Sequence, residues 1–170
     1  MKKSLKYLSF KLDSCRKGTV INMRISSKGR YGLAAMISMA QNYDNDECIT
    51  IVSISEKLGI SKIYLEQVFS LLKRAELVIA AKGAQGGYKL SRPPQTINAD
   101  QVLRALEQSL FEKTDESVAK QASDIELTMQ KIVFSEIDDA IASTLKKITL
   151  YDLVGEVEKQ KQSSGFMFYI

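Results

Sequence analysis

Between Thr50 and Leu90 two short amphipathic helix patterns meet at a Gly-Ile-Ser turn and run directly into a glycine-rich segment, an order that few folds accommodate. In the first pattern, Ile51, Ile54 and Leu58 recur at spacings that place them on one helix face. Gly59 ends it, because a left-handed residue after a helix carries no steric cost only when it lacks Cβ. Ser61 is then placed to cap the next helix by accepting a hydrogen bond from one of its unpaired amides. That helix, Lys62 to Ala75, buries Leu65, Val68, Phe69 and Leu72 and turns Lys62, Tyr64, Gln67, Lys73 and Arg74 outward. Amines, amides and a phenol on one face suit phosphates and base edges.

Two strand-like runs follow, Leu77-Val-Ile-Ala-Ala81 and Tyr88-Lys-Leu90, on either side of Lys82-Gly-Ala-Gln-Gly-Gly87. Glycines at that spacing permit the positive φ angles of a hairpin. A phosphate-cradling enzyme loop is the competing reading, but such a loop opens a helix after its strand. Here a second strand follows, so the segment is read as a wing with Lys82 and Gln85 at its tip. The expected architecture is mainly α with a small β wing: a winged helix-turn-helix whose first candidate partner is double-stranded DNA.

Three separated segments, Met23-Arg-Ile-Ser-Ser-Lys-Gly-Arg-Tyr-Gly-Leu33, Tyr64-Leu-Glu-Gln67 and Gly83-Ala-Gln-Gly-Gly-Tyr88, resemble in order the signature segments of the Rrf2 family of bacterial winged-helix regulators. The resemblance extends from Met23 through the Thr149-Leu-Tyr-Asp-Leu153 segment. It implies that Arg24, Ser27, Lys28 and Tyr31 lie beside the DNA backbone. Ser61, Lys62, Tyr64 and Gln67 would then occupy the recognition helix, with Glu66 tuning base choice, and Lys82, Gln85 and Tyr88 the wing. Two positions depart from the family pattern. Glu76 stands where a glycine usually ends the recognition helix, so strain is expected there. Lys82 replaces a common arginine and lacks the planar fork that pairs with guanine.

Outside this unit, Ser26 to Tyr43 reads as an opening helix with Leu33, Met36, Ile37 and Ala40 toward the core. Pro93-Pro94 breaks the chain after the wing, and Asn98 with Gln101 forms a capping box for Ala99 to Glu107. The longest helical pattern is Asp124 to Lys147, with Met129, Ile132, Val133, Ile137, Ala140, Ile141 and Leu145 in one stripe. Such a stripe can pack on its own domain or on another chain. The family resemblance implies a homodimer through it, presenting two recognition helices to a palindromic operator. The expected division is 23–97 for DNA binding, 98–154 for dimerisation, 155–170 as a flexible tail, and 1–22 as a disordered extension or the product of an upstream start codon.

Charge is unevenly spread: about +5 over Met1 to Asn22, about +4 over Met23 to Ile97 and about −5 over Asn98 to Ile170. The basic part coincides with the proposed DNA-binding unit, whereas the acidic part suits protein contacts. No apolar run reaches the ~20 residues of a membrane span, and the amino-terminal segment lacks a secretory h-region. A cytoplasmic protein with no membrane partner is expected. The chain has no histidine, which removes the commonest general base and metal ligand together. Cys15 and Cys48 form no Cys-x-x-Cys pair and are read as buried or inert thiols. Many similar regulators hold an iron-sulfur cluster with three cysteines before the long helix, but Gln108 to Ser123 contains none. No catalytic residue, metal or cofactor is therefore expected, and the chain is not read as an enzyme.

The tail, Lys159-Gln-Lys-Gln-Ser-Ser-Gly165, looks flexible and polar yet leads to Phe166-Met-Phe-Tyr-Ile170. Those aromatics either pack on the protein's own body or dock elsewhere. The ending is similar to that of the CymR-type, cysteine-metabolism branch of the family. That likeness implies that Phe168, Tyr169 and Ile170 dock onto cysteine synthase, the O-acetylserine thiol-lyase. The resulting expectation is a dimeric repressor of cysteine or sulfur metabolism genes. The alternatives are a regulator of another pathway and a winged-helix adaptor that no longer binds DNA.

Overall fold

The computed structural model describes residues 25–43, 48–83, 86–107, 118 and 121–165. In chain order these form α1 (Ser27–Ala40), α2 (Ile51–Leu58), α3 (Lys62–Arg74), β1 (Val78–Ala81) and β2 (Gly87–Leu90). A 3₁₀ turn (Pro94–Thr96), α4 (Ala99–Leu106), α5 (Ser123–Met129), α6 (Ser135–Lys146) and α7 (Leu150–Gly165) follow. The fold is mainly helical with one antiparallel hairpin as its wing, as the sequence indicated.

Local chemistry sets most helix ends. The Ser26 and Thr50 hydroxyls accept hydrogen bonds from the amides of Gly29 and Ser53 at the starts of α1 and α2. Gly59 closes α2 at φ 65°, and the Ser61 hydroxyl accepts from the Tyr64 amide 3.3 Å away to open α3. Asn98 and Gln101 form the reciprocal capping box of α4, at 3.0 and 3.1 Å. Thr149 and Asp152 cap α7 similarly. The Thr149 hydroxyl and then its backbone amide hold the Asp152 carboxyl below the usual aspartate value. That contribution is complete above the ordinary carboxylate range and fades as pH falls through the lowered value.

One core joins the first and last parts of the described chain. Met36, Ile54, Leu65, Val68, Phe69 and Leu72 pack with Ile97, Val102, Leu106 and Leu150 in a single buried cluster. The Leu150 amide donates to the Ile97 carbonyl at 2.9 Å and the Ala99 amide to that of Ile148 at 2.8 Å. The division expected at 97/98 is therefore not a break in packing, because α4 and the start of α7 complete the core of the head.

The tightest contact in that core is between α1 and α4. A Cβ on Gly32 would lie 2.1 Å from Leu106 Cδ1, and one on Gly29 would lie 2.3 Å from Glu107 Oε1. Glycine at both positions lets the end of α4 lie directly on α1. The buried Glu107 carboxylate then accepts from the Ser26 amide (2.9 Å), the Ser26 hydroxyl and the Gly29 amide (3.1 Å). A carboxylate at a helix amino terminus meets both its unpaired amides and the positive end of its dipole.

The long helical pattern expected from Asp124 to Lys147 is present, but it is not uniformly α. Between α5 and α6, Gln130–Phe134 form a π turn that inserts an extra residue and shifts the phase of the stripe. Ile132, Val133, Ile137 and Ala140 are exposed, while Met129, Ile141 and Leu145 are half-buried. The expectation of a flexible segment from 155 onward is corrected as far as Gly165, where α7 ends. Its Glu, Lys and Gln residues favour helix, with exposed pairs of Lys159 with Glu156 and Lys161 with Glu158. Gln41 donates to Glu158 at 3.0 Å and fastens α7 to the end of α1.

Glu107→Ala removes the shared acceptor from three donors at the start of α1. A loss of about 2–3 kcal/mol of unfolding free energy is expected, and a smaller one for Glu107→Gln, which keeps one carbonyl oxygen. Urea unfolding should show this as a lower midpoint at unchanged slope. An unshifted midpoint for the alanine variant would mean that solvent satisfies those donors equally well.

Candidate nucleic-acid interface

α3 divides cleanly. Leu65, Val68, Phe69 and Leu72 are buried, whereas Lys62, Ile63, Glu66, Gln67, Lys73 and Arg74 are exposed. Apolar residues at helical spacing seat one side of the helix and leave the other open. Ser61 is exposed at the cap, and Lys62 and Glu66 stand 4.0 Å apart as a solvent-facing i,i+4 pair that contributes little stability. Glu66 thus moderates the positive charge of its own helix.

Tyr64 is half-buried because its ring meets that of Tyr31 edge-on, with centroids 5.3 Å apart and planes at 82°. This contact brings the start of α1 against the start of α3. Lys28 and Tyr31 are neighbours at i,i+3 on α1, with Ser27 exposed at its first position. The structure therefore gathers the residues expected on α1 and α3 through one aromatic contact. Arg24 lies outside the described residues.

The wing pairs Val78 with Leu90 through Ala81 with Gly87. Lys82 is exposed where β1 ends, and Gly83 follows at φ 114°, a region that suits glycine. Gln85 falls outside the described residues. Tyr88 pairs with Ala80, one step from the hairpin's loop, and its ring is tilted against Phe69 with centroids 4.7 Å apart. Its amide and carbonyl exchange two 2.8 Å hydrogen bonds with Ile49, a bridge the sequence reading missed. Tyr88 thereby anchors the wing to the core of α3.

Glu76 adopts φ 56°, the only positive value among the described non-glycine residues. The strain expected from the missing glycine is present. The chain turns here because the Glu76 and Leu77 amides return to the Lys73 and Leu72 carbonyls, each at 3.0 Å. The Glu76 carbonyl accepts from the Ser91 hydroxyl at 2.6 Å and from Arg92 at 3.4 Å, tying the turn to the far end of the hairpin. Neither partner was foreseen, because nothing local marks a residue fifteen positions away as an acceptor's mate.

An amphipathic helix presenting amines and an amide, capped at an exposed start and flanked by a hairpin, defines a winged-helix DNA-binding unit. The model of the Rrf2 family, described as an iron-dependent transcriptional regulator, matches residues 25–156. The transcriptional regulator CymR of Bacillus subtilis (strain 168) is 34% identical over 148 residues, 87% of this chain and 100% of the relative. The solved structure of T. potens IscR matches with a TM-score of 0.65 at 35% identity, covering 86% of this chain and 97% of its own. That of CymR (YrzC), the global cysteine regulator of B. subtilis, gives 0.61 at 34% identity, covering 79% and 98%. The chain belongs to the Rrf2 family of transcriptional regulators. The relatives named here are regulators and not enzymes.

Two further groups of expected residues belong to other segments of the chain. Met129 lies in α5, Ile132 and Val133 in the π turn, and Ile137, Ala140, Ile141 and Leu145 in α6. Phe168, Tyr169 and Ile170 lie outside the described residues. Among the described residues, no helix is long and apolar enough to cross a membrane.

Glu76→Gly should relieve the backbone strain. A non-glycine residue in the left-handed region costs roughly 1–2 kcal/mol, and glycine's added freedom in the unfolded chain returns ~0.5–1 kcal/mol of that. A net gain of about 0.5–1 kcal/mol is expected in thermal or urea unfolding. A loss would mean that the glutamate side chain stabilises the turn by more than the strain costs.

Proposed function

We propose that this regulator is a homodimeric repressor of cysteine or sulfur metabolism genes that reads a palindromic operator and works without an iron-sulfur cluster. The observation that carries the DNA-reading part is the exposed face of α3, with Tyr64 braced by Tyr31 and Gln67 open to solvent. Lys28, Lys62 and Lys82 supply phosphate contacts, to which Arg24 adds from outside the described residues. The sulfur assignment is supported by the similarity to CymR over that regulator's full length. Cysteine synthase is the corresponding partner for Phe168, Tyr169 and Ile170.

The absence of a cluster is supported by the donor set. The whole chain has two cysteines and no histidine, too few thiolates for a site of three cysteines. Cys48 is half-buried and follows two acidic residues. The likeness to IscR supports a second reading, a regulator of another pathway on the same DNA-binding head. A DNA-bound regulator of either kind acts in the cytoplasm.

Dimerisation is proposed along the stripe from Met129 to Leu145. In the single chain Ile132 is 63% and Ile137 49% exposed, with Val133 also exposed between them. Burying such side chains against a second copy contributes about 1.5–3 kcal/mol each when complete. The residues from 98 to 154 thus serve both the head's core and the pairing of two heads.

Operator selection from random duplexes, followed by anisotropy titrations at fixed salt, tests the DNA-reading part. Tyr64→Ala combined with Gln67→Ala should weaken the selected site at least tenfold more than random DNA, because base contacts specify while phosphate contacts do not. Equal losses on both would show that these side chains do not read sequence. Cysteine-pathway promoters should carry the selected site; its absence from them would favour the second reading.

Ile137→Asp places a charge in the proposed apolar interface, a change costing several kcal/mol where the carboxylate is desolvated. Light scattering is expected to give monomers with an unchanged helical spectrum and weak binding to the palindrome. A folded dimer of this variant would move the interface elsewhere.

A further inference from the structure

Ile63 is 72% exposed, the most exposed of the large apolar side chains among the described residues. Isolated exposed apolar residues are common on protein surfaces and carry no meaning by themselves. This one is distinguished by its place. It occupies the second position of α3, between Lys62 and Tyr64, and stands four residues before Gln67. Residues at i and i+4 are neighbours on a helix surface, so Ile63 and Gln67 share one exposed strip at the amino-terminal end that enters the groove.

Resting on the DNA-binding reading above, we propose that Ile63 is a specificity-determining residue whose side chain packs on the 5-methyl group of a thymine in the operator. An aliphatic side chain has nothing to offer a phosphate. In the major groove the apolar feature of the base edges is the thymine methyl, which separates thymine from every other base. Isoleucine suits this contact because branching at Cβ holds it to one strongly preferred χ1 rotamer in a helix, so its methyl groups are pre-positioned. Nothing in the fold requires it: the buried side of α3 is supplied by Leu65, Val68, Phe69 and Leu72. Isoleucine is also a poorer helix former than the unbranched residues that could replace it. The thymine lies beside the base read by Gln67, toward the start of the helix.

The test uses the full chain and the best operator selected with it. Each thymine of that site is replaced in turn by uracil, which removes the methyl and keeps every hydrogen-bonding group. At one position in each half-site the replacement should weaken the unaltered protein about fourfold, the worth of one buried methylene. Replacing both should weaken it roughly fifteenfold if the two half-sites act independently. Ile63→Ala should bind the thymine operator more weakly and show no further loss on the uracil duplex. Its helical spectrum and its affinity for random DNA should be unchanged, since Ile63 supports neither core nor phosphate contacts. Indifference of the unaltered protein at every thymine, or equal uracil sensitivity in Ile63→Ala, overturns the inference. If the unaltered protein selects no sequence at all, the DNA-reading proposal falls first and this one with it.

Discussion

The head is organised by the contact of α4 with the start of α1. Leu106 lies where a side chain on Gly32 would be, and Glu107 enters beside Gly29 to collect donors from Ser26 and Gly29. Two requirements are met together. The helices approach closely enough to exclude water from Leu106 and Val68, and the unpaired amides of α1 receive a charged acceptor in that dry setting. The first turn of α1, with Ser27 and Lys28, is thereby held in place from behind. An exposed helix start must otherwise leave its amides to solvent or to a ligand. Here an internal carboxylate occupies part of that role, so the turn is ordered by the fold itself.

Much of the recognition unit could be read directly from the chain because it depends on short-range geometry. Gly59, Ser61 and the Asn98 and Gln101 pair announce helix ends through needs met within a few residues. The glycines of the wing and the misfit of Glu76 belong to the same class, since a φ angle is a property of one residue and its type. Gly29 and Gly32 gave no such signal. Within α1 alone they only weaken a helix, and their purpose appears when Leu106 and Glu107 arrive from more than 70 positions away. The contact of the Tyr88 ring with Phe69 gave no local signal either, since the two residues lie on different elements.

The two long-helix departures have different physical origins. Ile132-Val-Phe134 are three successive apolar residues, a run that fits α and π spacing equally, so periodicity alone could not locate the extra residue. The end of α7 was misjudged for the opposite reason. Its Gln and Ser residues resemble linker composition, but Glu156, Glu158, Lys159 and Lys161 pair along one helix, and Gln41 holds Glu158 from another. Composition reports what a segment can do in isolation; tertiary contact decides what it does.

Reading and folding are separated on α3 itself. The buried residues of that helix anchor the head, and those at positions 62, 63, 66 and 67 are exposed. Substitution at such exposed positions comes at little cost to stability. Tyr64 is the exception, since its ring supports Tyr31. This division accounts for how regulators about one-third identical can keep one architecture. The invariant demand is the packing that orients α3 and the wing, and the variable demand is met by a few solvent-facing side chains whose replacement the fold does not register.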